Sequence, residues 1–186
     1  MINNIDKIKN LLTFDSSDDF YHLQIIKRKK EHPELGSNSY IVKTYYISSI
    51  EMLEFYYPEI ICLSDFHNAR AGINLNKRSF ENIAFNTLKK VTDQIMNKDY
   101  KSVRKSYNSV CGIHSATKSD KKWIIDIDVI EYSEVQSVIN TIPSDVYIDT
   151  LPTKNGYHVI TKPFNLSLYK LDWDIHKNNP TILYIP

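Results

Sequence analysis

Residues 123–130 read WIIDIDVI, a run in which two carboxylates interrupt an otherwise apolar sequence. Alternate side chains of a β-strand point to opposite faces. One face of this strand is expected to carry Trp123, Ile125, Ile127 and Val129, and the other Ile124, Asp126, Asp128 and Ile130. Two like charges this close together in apolar surroundings repel each other, so the acidic face needs a neutralising partner.

The segments after this strand predict a small sheet. Residues 133–142 favour a helix and residues 145–152 a second strand. Asn155 and Gly156 then signal a two-residue hairpin turn, in which both central residues take positive φ. Residues 157–162 form the return strand, residues 164–171 a helical turn, and residues 181–185 a final strand. The order β-α-β-β-α-β over about 64 residues is typical of the ferredoxin-like or RNA-recognition-motif (RRM) sheet.

The first part of the chain mixes helix and strand signals differently. It predicts a helix near 2–12, strands near 20–29, 39–47 and 70–76, and helices from Ser48 and over 79–96. Ser48 and Glu51 have the spacing of a capping box, and we expect their helix to end near Pro58. In the helix over 79–96, the residues expected to face the core are Phe80, Ile83, Ala84, Leu88, Val91 and Ile95.

These signals place the chain in the α+β class, with two small lobes packed as one compact unit. Residues 1–106 form an N-terminal α/β lobe. Residues 107–122 show no clear period and predict a connector. Residues 123–186 form the RRM-like lobe, which we expect to be the catalytic one.

The composition excludes several classes of protein. The four glycines lie far apart, whereas dinucleotide-binding and Walker loops need two or three within a few residues. The two cysteines form no CxxC pair, so neither a disulfide framework nor a cysteine-rich zinc site is supported. No run of about 18 apolar residues is present, and we expect a cytoplasmic protein that does not enter the membrane. The abundance of Lys, Asn, Ile and Tyr is typical of AT-rich genomes, such as those of some bacteria and their phages.

Charge is unevenly distributed although the net charge is only +1. Residues 86–122 carry nine basic and three acidic side chains. Within them Lys101, Arg104 and Lys105 lie close to Tyr100 and Tyr107. This segment is either a solvated helix face and loop or a strip that binds a nucleic-acid backbone.

Asp126 and Asp128 are the centre of the chemistry that the sequence predicts. Carboxylates at i and i+2 on one strand face share divalent ions such as Mg²⁺ or Mn²⁺ through hard oxygen ligands. In the expected sheet the hairpin runs beside this strand, with His158 and Lys162 on one face, where both can meet a metal-bound triphosphate. Asp174, or Asp172 as the alternative, would complete a cluster of three carboxylates.

These motifs resemble the archaeo-eukaryotic primase superfamily, which includes primase-polymerases and the polymerase domains of bacterial end-joining ligases. The family pattern is an hhDhD strand, a Gly-x-His hairpin and a hydrophobic residue followed by Asp. The chain offers Ile124-Ile125-Asp126-Ile127-Asp128, then Gly156-Tyr157-His158, then Trp173-Asp174. The resemblance covers residues 123 to about 181.

The resemblance implies a template-directed nucleotidyltransferase that joins nucleoside triphosphates with two divalent metals, Mg²⁺ or Mn²⁺. Asp126, Asp128 and Asp174 would bind the metals, and His158 would contact the phosphates of the incoming nucleotide. The lysines that would neutralise phosphate are Lys154, Lys162 and Lys177. A single-stranded template would contact the N-terminal lobe, where the candidates are Arg70, Lys101, Arg104 and Lys105. A helicase or another replication protein is a further candidate partner.

Two other functions remain open. The first is a non-catalytic module that binds single-stranded nucleic acid or a nucleotide and stacks bases on Tyr45, Tyr46, Tyr107 and Tyr157. The second is a metal-dependent phosphodiesterase or nuclease that uses Asp126, Asp128, His158 and Asp174. His114 and His176 are interpreted as ordinary polar residues.

Overall fold

Two antiparallel sheets and five α-helices make up the parts of the chain that the computed structural model describes, residues 1–113, 120–169 and 172–186. The expectation of an α+β fold is therefore confirmed. The helices are α1 (Ile5–Leu11), α2 (Ile50–His67), α3 (Phe80–Met96), α4 (Ser106–Ile113) and α5 (Tyr132–Thr141). The strands are β1 (Ile2–Asn3), β2 (Asp19–Lys27), β3 (Tyr40–Ile47), β4 (Arg70–Asn74), β5 (Arg78–Ser79), β6 (Trp123–Ile127), β7 (Tyr147–Pro152), β8 (Tyr157–Thr161), β9 (Asp174–His176) and β10 (Pro180–Ile185).

The N-terminal sheet has the order β1-β10-β4-β2-β3, and β5 pairs with the start of β2. Side chains of β2 alternate between two packed faces. Leu23 and Ile25 lie in the hydrophobic cluster that contains residues of α1 and α2. Phe20, on the opposite face, packs with Ile83 of α3 and Val110 of α4. Helices α2 and α3 therefore lie on opposite sides of this sheet.

The C-terminal sheet has the order β7-β8-β6-β9, and all its neighbouring strands are antiparallel. Numbered along the chain, this is the 2-3-1-4 order of an RRM-like sheet. Ile125 and Ile127 of β6 pack with Val135 and Val138 of α5 on one face. A short 3-10 helix, Leu166–Leu168, stands where the second helix of that fold was expected.

The expected role of residues 181–185 as the last strand of this sheet is wrong. The fourth strand is β9, and β10 instead crosses to the N-terminal sheet, where it pairs with β1 and β4. Every β10 residue except Pro180 and Ile182 is buried, which suits an internal strand covered on both faces. Residues 123–186 therefore do not close as a lobe of their own.

Polar side chains also tie the two sheets together. Asn4 donates hydrogen bonds from Nδ2 to the backbone oxygens of Pro152 and Ile182, each at 3.0 Å. Asn76 donates to the backbone oxygens of Lys122 and Lys177, each at 3.0 Å, and accepts from the Lys122 N–H at 2.7 Å. These bonds satisfy backbone groups of both sheets.

Arg78 is fully buried and forms the centre of a second polar connection. Its guanidinium donates to the backbone oxygens of Cys111, at 2.8 Å, and Asn76, and to Oδ1 of Asn178, at 3.1 Å. Asn178 in turn donates to the backbone oxygen of Gly112 at 3.0 Å. Burial lowers the pKa of Arg78 to about 10, which leaves the side chain charged at neutral pH.

The connector expected at 107–122 is partly a helix. Residues 106–113 form α4, with Val110 and Cys111 buried against Phe20. Four polar or glycine residues in this short helix weaken its period, which explains why the sequence pattern missed it. Residues 114–119, with His114 and Lys118, lie outside the described residues.

Helix α2 differs from expectation at both ends. Its N-cap is Ser49 and not Ser48, because Ser49 Oγ accepts the Met52 N–H at 3.1 Å. The helix also continues through Pro58 to His67. Leu53 and Ile60 on either side of Pro58 are buried in the core, and this packing holds the helix together despite the missing N–H.

Helix α3 begins and ends where its period predicted, but much of its apolar surface faces solvent. Ile83 is buried, whereas Ala84, Leu88 and Ile95 are exposed, so the prediction that these three residues belong to the core is wrong. On its inner side the helix packs through Ile83 and Phe80, and its Lys90 and Gln94 form hydrogen bonds with α4. The apolar residues of α3 do repeat at helical spacing, but some of them lie on the solvent-exposed face of the helix and not on the face that packs on the sheet.

Candidate active site

A cleft of about 410 Å³ lies where the C-terminal sheet meets the edge of the N-terminal sheet. The C-terminal sheet and its β7–β8 loop contribute the acidic and imidazole side chains Asp126, Asp128, His158 and His176, together with Lys154. The N-terminal sheet and the loop after β2 contribute Arg28, Arg70 and Gly72. The cleft therefore brings carboxylates, imidazoles and cations from distant parts of the chain into one space.

Strand register explains how the acidic side of the cleft is assembled. Asp126 of β6 is the direct partner of His158 on β8 and of Asp174 on β9. Directly opposite residues in an antiparallel pair project to the same face. Asp126, His158 and Asp174 therefore share the face opposite α5, as the sequence pattern predicted.

The Asp126 carboxylate faces two imidazoles. Its Oδ1 lies 3.3 Å from His158 Nε2, and its Oδ2 lies 3.6 Å from His176 Nε2. The hydrogen bond from His158 is the largest influence on this carboxyl group, and it holds the pKa of Asp126 below its ordinary value against the opposing effect of burial. Asp126 is therefore an ionised acceptor at neutral pH.

His158 is itself held from behind by β10. Its ring is buried, and its Nδ1 lies 2.8 Å from Oγ1 of Thr181, a fully buried residue of that strand. Because the ionised Asp126 only accepts hydrogen bonds, Nε2 is the ring nitrogen of His158 that donates to it, while Nδ1 faces the Thr181 hydroxyl. The crossing of β10 into the other sheet thus fixes the orientation of this imidazole.

Gly156 brings the β7–β8 loop against the end of β6. A Cβ at this position would lie 1.8 Å from the Ile127 backbone oxygen and 2.8 Å from the Val129 backbone N. Gly156 has no positive φ, and neither has Asn155, so the expected two-residue hairpin turn is wrong. The glycine is required because the backbone next to Asp128 approaches so closely.

Glu31 binds two of the cations that line the cleft. It accepts from Nε of Arg70 at 2.8 Å, with a second bond from that guanidinium, and from Lys154 Nζ at 3.0 Å. Burial raises the pKa of this carboxyl group, but the bonds from Arg70 and Lys154 outweigh burial and leave it below its ordinary value. Arg70 and Lys154, from different sheets, are thereby fixed beside the same cleft.

No protein-family model, curated protein or solved structure matches this chain. No helix within the described ranges is both long and apolar enough to cross a membrane.

Asp126 and Asp128 are the carboxylates of the cleft that could hold a divalent metal. Across residues 1–113, 120–169 and 172–186, no group of three or more His, Cys, Asp or Glu side chains is arranged to hold a metal ion. Mg²⁺, however, usually binds through one or two carboxylates, and substrate phosphates and water complete its octahedron. Asp126 and Asp128, two carboxylates on one cleft, match the number of protein ligands in that mode of binding.

The structure brings together about half of the residues that the sequence singled out. Those that line the cleft are Asp126, Asp128, His158, Lys154 and Arg70. Asp174 lies opposite Asp126 but is exposed, and Asp172 is exposed nearby in sequence.

The remaining predicted cations do not line the cleft. Lys162 is exposed just after β8. Lys177 lies with Nζ 5.0 Å from the centre of the Trp123 ring, on the α5 side of β6. Lys101, Arg104 and Lys105 are exposed in the segment between α3 and α4. These two helices pack on Phe20, at the start of β2. The cleft lies at the other end of β2, at Ile26.

Three residues of the cleft were missed by sequence reasoning. His176 was interpreted as an ordinary polar residue, yet it faces Asp126, and its spacing of two from Asp174 was the available signal. Thr181 and Arg28 carried no local signal, because strand pairing between distant segments brings them to the site.

Of the tyrosines suggested for base stacking, Tyr45 is buried and donates to Glu59 at 3.1 Å, so its ring is not available.

Proposed function

We propose that the cleft binds a nucleoside triphosphate and transfers its nucleotidyl group to the 3′-hydroxyl of a strand paired with a single-stranded template. The new bond joins the 3′-oxygen to the α-phosphorus, and pyrophosphate leaves. The observation that carries this proposal is that Asp126, Asp128 and His158 share one cleft with Arg70 and Lys154. Carboxylates for a divalent metal and cations for a triphosphate are the two requirements of metal-assisted phosphoryl transfer. This is also the activity that the resemblance to primase-polymerases implies.

The carboxylates have the first role in this proposal. Asp126 and Asp128 would hold Mg²⁺ or Mn²⁺, and Asp174 is the third carboxylate within reach on the neighbouring strand. When bound, the metal would supply charge stabilisation for the attacking and leaving oxygens. The hydrogen bond from His158 holds the pKa of Asp126 below its ordinary value, so this ligand is ionised at neutral pH.

His158 and the cations have the second role. His158 is held by Thr181 at the base of the cleft, and when a nucleotide binds, its Nε2–H would be shared between Asp126 and a phosphate oxygen. Lys154 and Arg70 stand at the rim, where the negative charge of a triphosphate would draw them from Glu31. Arg28 adds a third positive charge on the same side. Lys162 and Lys177 are left out of this set because they do not line the cleft.

The test is nucleotide incorporation on a single-stranded template, with and without an annealed primer, in Mg²⁺ and in Mn²⁺. The wild type is compared with the double variant Asp126→Asn, Asp128→Asn. The matched control is Glu131→Gln, Glu134→Gln, which makes the same charge change at exposed positions on the α5 side of the sheet. Metal-dependent products from the wild type and the control, lost in the Asp double variant, are expected. Products in the lane without primer would identify chain initiation.

The alternatives give different results in the same assay. Shortened template or primer would indicate a metal-dependent phosphodiesterase or nuclease at this cleft. Retention of a labelled strand or nucleotide without any product would indicate a non-catalytic binding module. Products that persist in the folded Asp double variant would contradict the proposed role of the cleft.

A further inference from the structure

Two of the cations that line the cleft already bind a carboxylate. Glu31 lines a second cavity of about 490 Å³, to which Arg70, Thr153 and Lys154 also contribute. The same three residues line the cleft itself. Arg70 and Lys154 therefore stand between the two cavities and separate the Glu31 carboxylate from the cleft.

Glu31 holds the two cations unequally. Arg70 donates two hydrogen bonds to it, one from Nε at 2.8 Å, and the side chains of this pair are only 14% and 20% exposed. Lys154 donates one bond at 3.0 Å and is 54% exposed, on the loop between β7 and β8. Lys154 can turn to a ligand in the cleft at little cost, whereas moving Arg70 leaves a largely buried carboxylate without its main partner.

Formal charge around the cleft is balanced once Glu31 is included. The charged side chains of the lining, the imidazoles apart, are two carboxylates and three cations, namely Asp126, Asp128, Arg28, Arg70 and Lys154. Glu31 adds a third carboxylate in contact with two of these cations. A polyphosphate that arrives alone therefore meets as many fixed negative charges as positive ones. A divalent cation held by the carboxylates or by the phosphates would leave positive charge in excess.

We infer that Glu31 determines which form of a polyphosphate the cleft accepts, favouring the metal complex over the free polyanion. This inference rests on the proposed function, in which the cleft takes a nucleoside triphosphate. Repulsion between a fixed carboxylate and a ligand grows with the negative charge of the ligand. A bound divalent cation lowers that charge, so Glu31 disfavours the free triphosphate more than its metal complex. Glu31 acts through Arg70 and Lys154, and it couples triphosphate binding to the metal.

The experiment is calorimetric titration of the full chain with inorganic tripolyphosphate at low salt, once in a chelator and once with excess Mg²⁺. Glu31→Gln removes the carboxylate charge and keeps the size of the side chain. The matched control is Glu34→Gln, the same change at an exposed position where the carboxylate lies beside Lys27 and His32.

Glu31→Gln should bind tripolyphosphate about tenfold more tightly than the wild type in chelator and only about threefold more tightly with Mg²⁺. The smaller gain with Mg²⁺ is expected because the metal lowers the charge that the carboxylate repels. Glu34→Gln should follow the wild type in both buffers. Added salt should reduce the gain of Glu31→Gln, since it screens the repulsion.

Lys154→Gln tests the same charge balance from the opposite side and leaves the pair of Arg70 and Glu31 intact. Loss of this cation should weaken tripolyphosphate binding, by a larger factor in chelator than with Mg²⁺. Its matched control is Lys162→Gln, the same change at an exposed position outside the cleft. Circular dichroism and thermal melting verify the fold of each variant. If Glu31→Gln does not fold, the Lys154→Gln comparison decides, and equal losses in the two buffers contradict the inference.

Three further results overturn the inference. Weaker binding to Glu31→Gln in both buffers would mean that the carboxylate is needed to position the two cations. An equal gain in both buffers would mean that its charge acts without regard to the metal. Absence of tripolyphosphate binding by wild type and Glu31→Gln in either buffer would mean that the cleft takes no polyphosphate.

These results are separate from those of the incorporation assay. A wild type that incorporates no nucleotide contradicts the proposed function, whereas the tripolyphosphate titrations still support or contradict the role of Glu31. Incorporation by a wild type whose Glu31→Gln variant gains equally in both buffers would overturn the role of Glu31 alone.

Discussion

Gly156 is the glycine at which an added Cβ is expected to destabilise the fold most. The close approach of the Ile127 backbone oxygen leaves no space for a Cβ, and the neighbouring atoms are backbone that cannot rotate away. Gly156→Ala should therefore lower the free energy of unfolding by about 3 kcal/mol, the upper range of overpacking costs. Urea denaturation measures the change.

Gly112 provides the matched control for this prediction. It lies in α4 with nothing within 4 Å of a built Cβ. Gly112→Ala should raise the free energy of unfolding by about 0.5–1 kcal/mol, because alanine loses less backbone entropy in a helix. Equal effects at the two glycines would contradict the close approach at Gly156.

Glu31 predicts a pH dependence of stability. Its pKa in the folded protein lies below the ordinary value of 4.5 because Arg70 and Lys154 outweigh the effect of burial. The folded state therefore favours the ionised form, and the resulting stabilisation is present above pH 4.5 and lost as the pH falls through the lowered pKa. Glu31→Gln should cost about 1–2 kcal/mol at neutral pH, and this cost should shrink as the pH falls from 4.5 through the lowered pKa.

The measurement is urea denaturation of wild type and Glu31→Gln at several pH values. Glu134→Gln, an exposed substitution on α5, is the control and should follow the wild type throughout. A difference between wild type and Glu31→Gln that stays the same at every pH below 4.5 at which the protein remains folded would show that the carboxylate charge is not what stabilises this corner.

At the scale of elements, only one of the two serines before α2 caps the helix. Ser49 Oγ accepts the Met52 N–H at 3.1 Å, whereas Ser48 Oγ reaches only the Met52 sulfur at 3.6 Å. Ser49→Ala should lower the free energy of unfolding by about 1 kcal/mol, the usual value of an N-cap. Ser48→Ala should have a smaller effect, and the reverse order in thermal or urea unfolding would restore the capping box first expected from the sequence.

Elements were predicted well where local pattern decides them. The strand at Trp123, the helix over 79–96 and the hairpin before His158 all lie close to their expected positions, because alternation and helical spacing are local properties. Pro58 was misleading since burial of Leu53 and Ile60 outweighs the missing hydrogen bond. The solvent exposure of apolar residues on α3 was also missed, because helical spacing alone does not say which apolar residues pack against the sheet.

The candidate site was predictable to the extent that it lies within one small sheet. Asp126 and His158 were identified because strand order and alternation place them opposite each other. His176 depended on where β9 begins, and Thr181 and Arg28 depended on pairing across the whole chain. No pattern within a short window contains that information.

At the scale of the whole molecule, the shared strand β10 predicts a single unfolding transition. The core cluster that contains Leu23 and Leu183 also contains Ile124 and Ile160 of the C-terminal sheet. Loss of either sheet would expose part of this cluster, so the two sheets should unfold together. Trp123 and Trp173, the only tryptophans, report the C-terminal sheet by fluorescence.

The buried thiol of Cys111 reports the other sheet, through its packing with Phe20. In a Cys62→Ser variant it is the sole thiol, and its reaction with a disulfide reagent follows local opening. The midpoint of thiol exposure in urea should coincide with that of fluorescence. Two separate midpoints would mean that the sheets unfold independently and that β10 does not couple them.

The position of β10 has a consequence during biosynthesis. Residues 180–185 lie between β1 and β4 in the N-terminal sheet, yet the ribosome makes them more than one hundred residues after β4. Until they emerge, the nascent chain holds β4 as an open edge with unpaired backbone groups, a template for wrong pairing. Translation must therefore pass residue 185 before β4 is paired on both sides and protected from wrong pairing with other nascent chains.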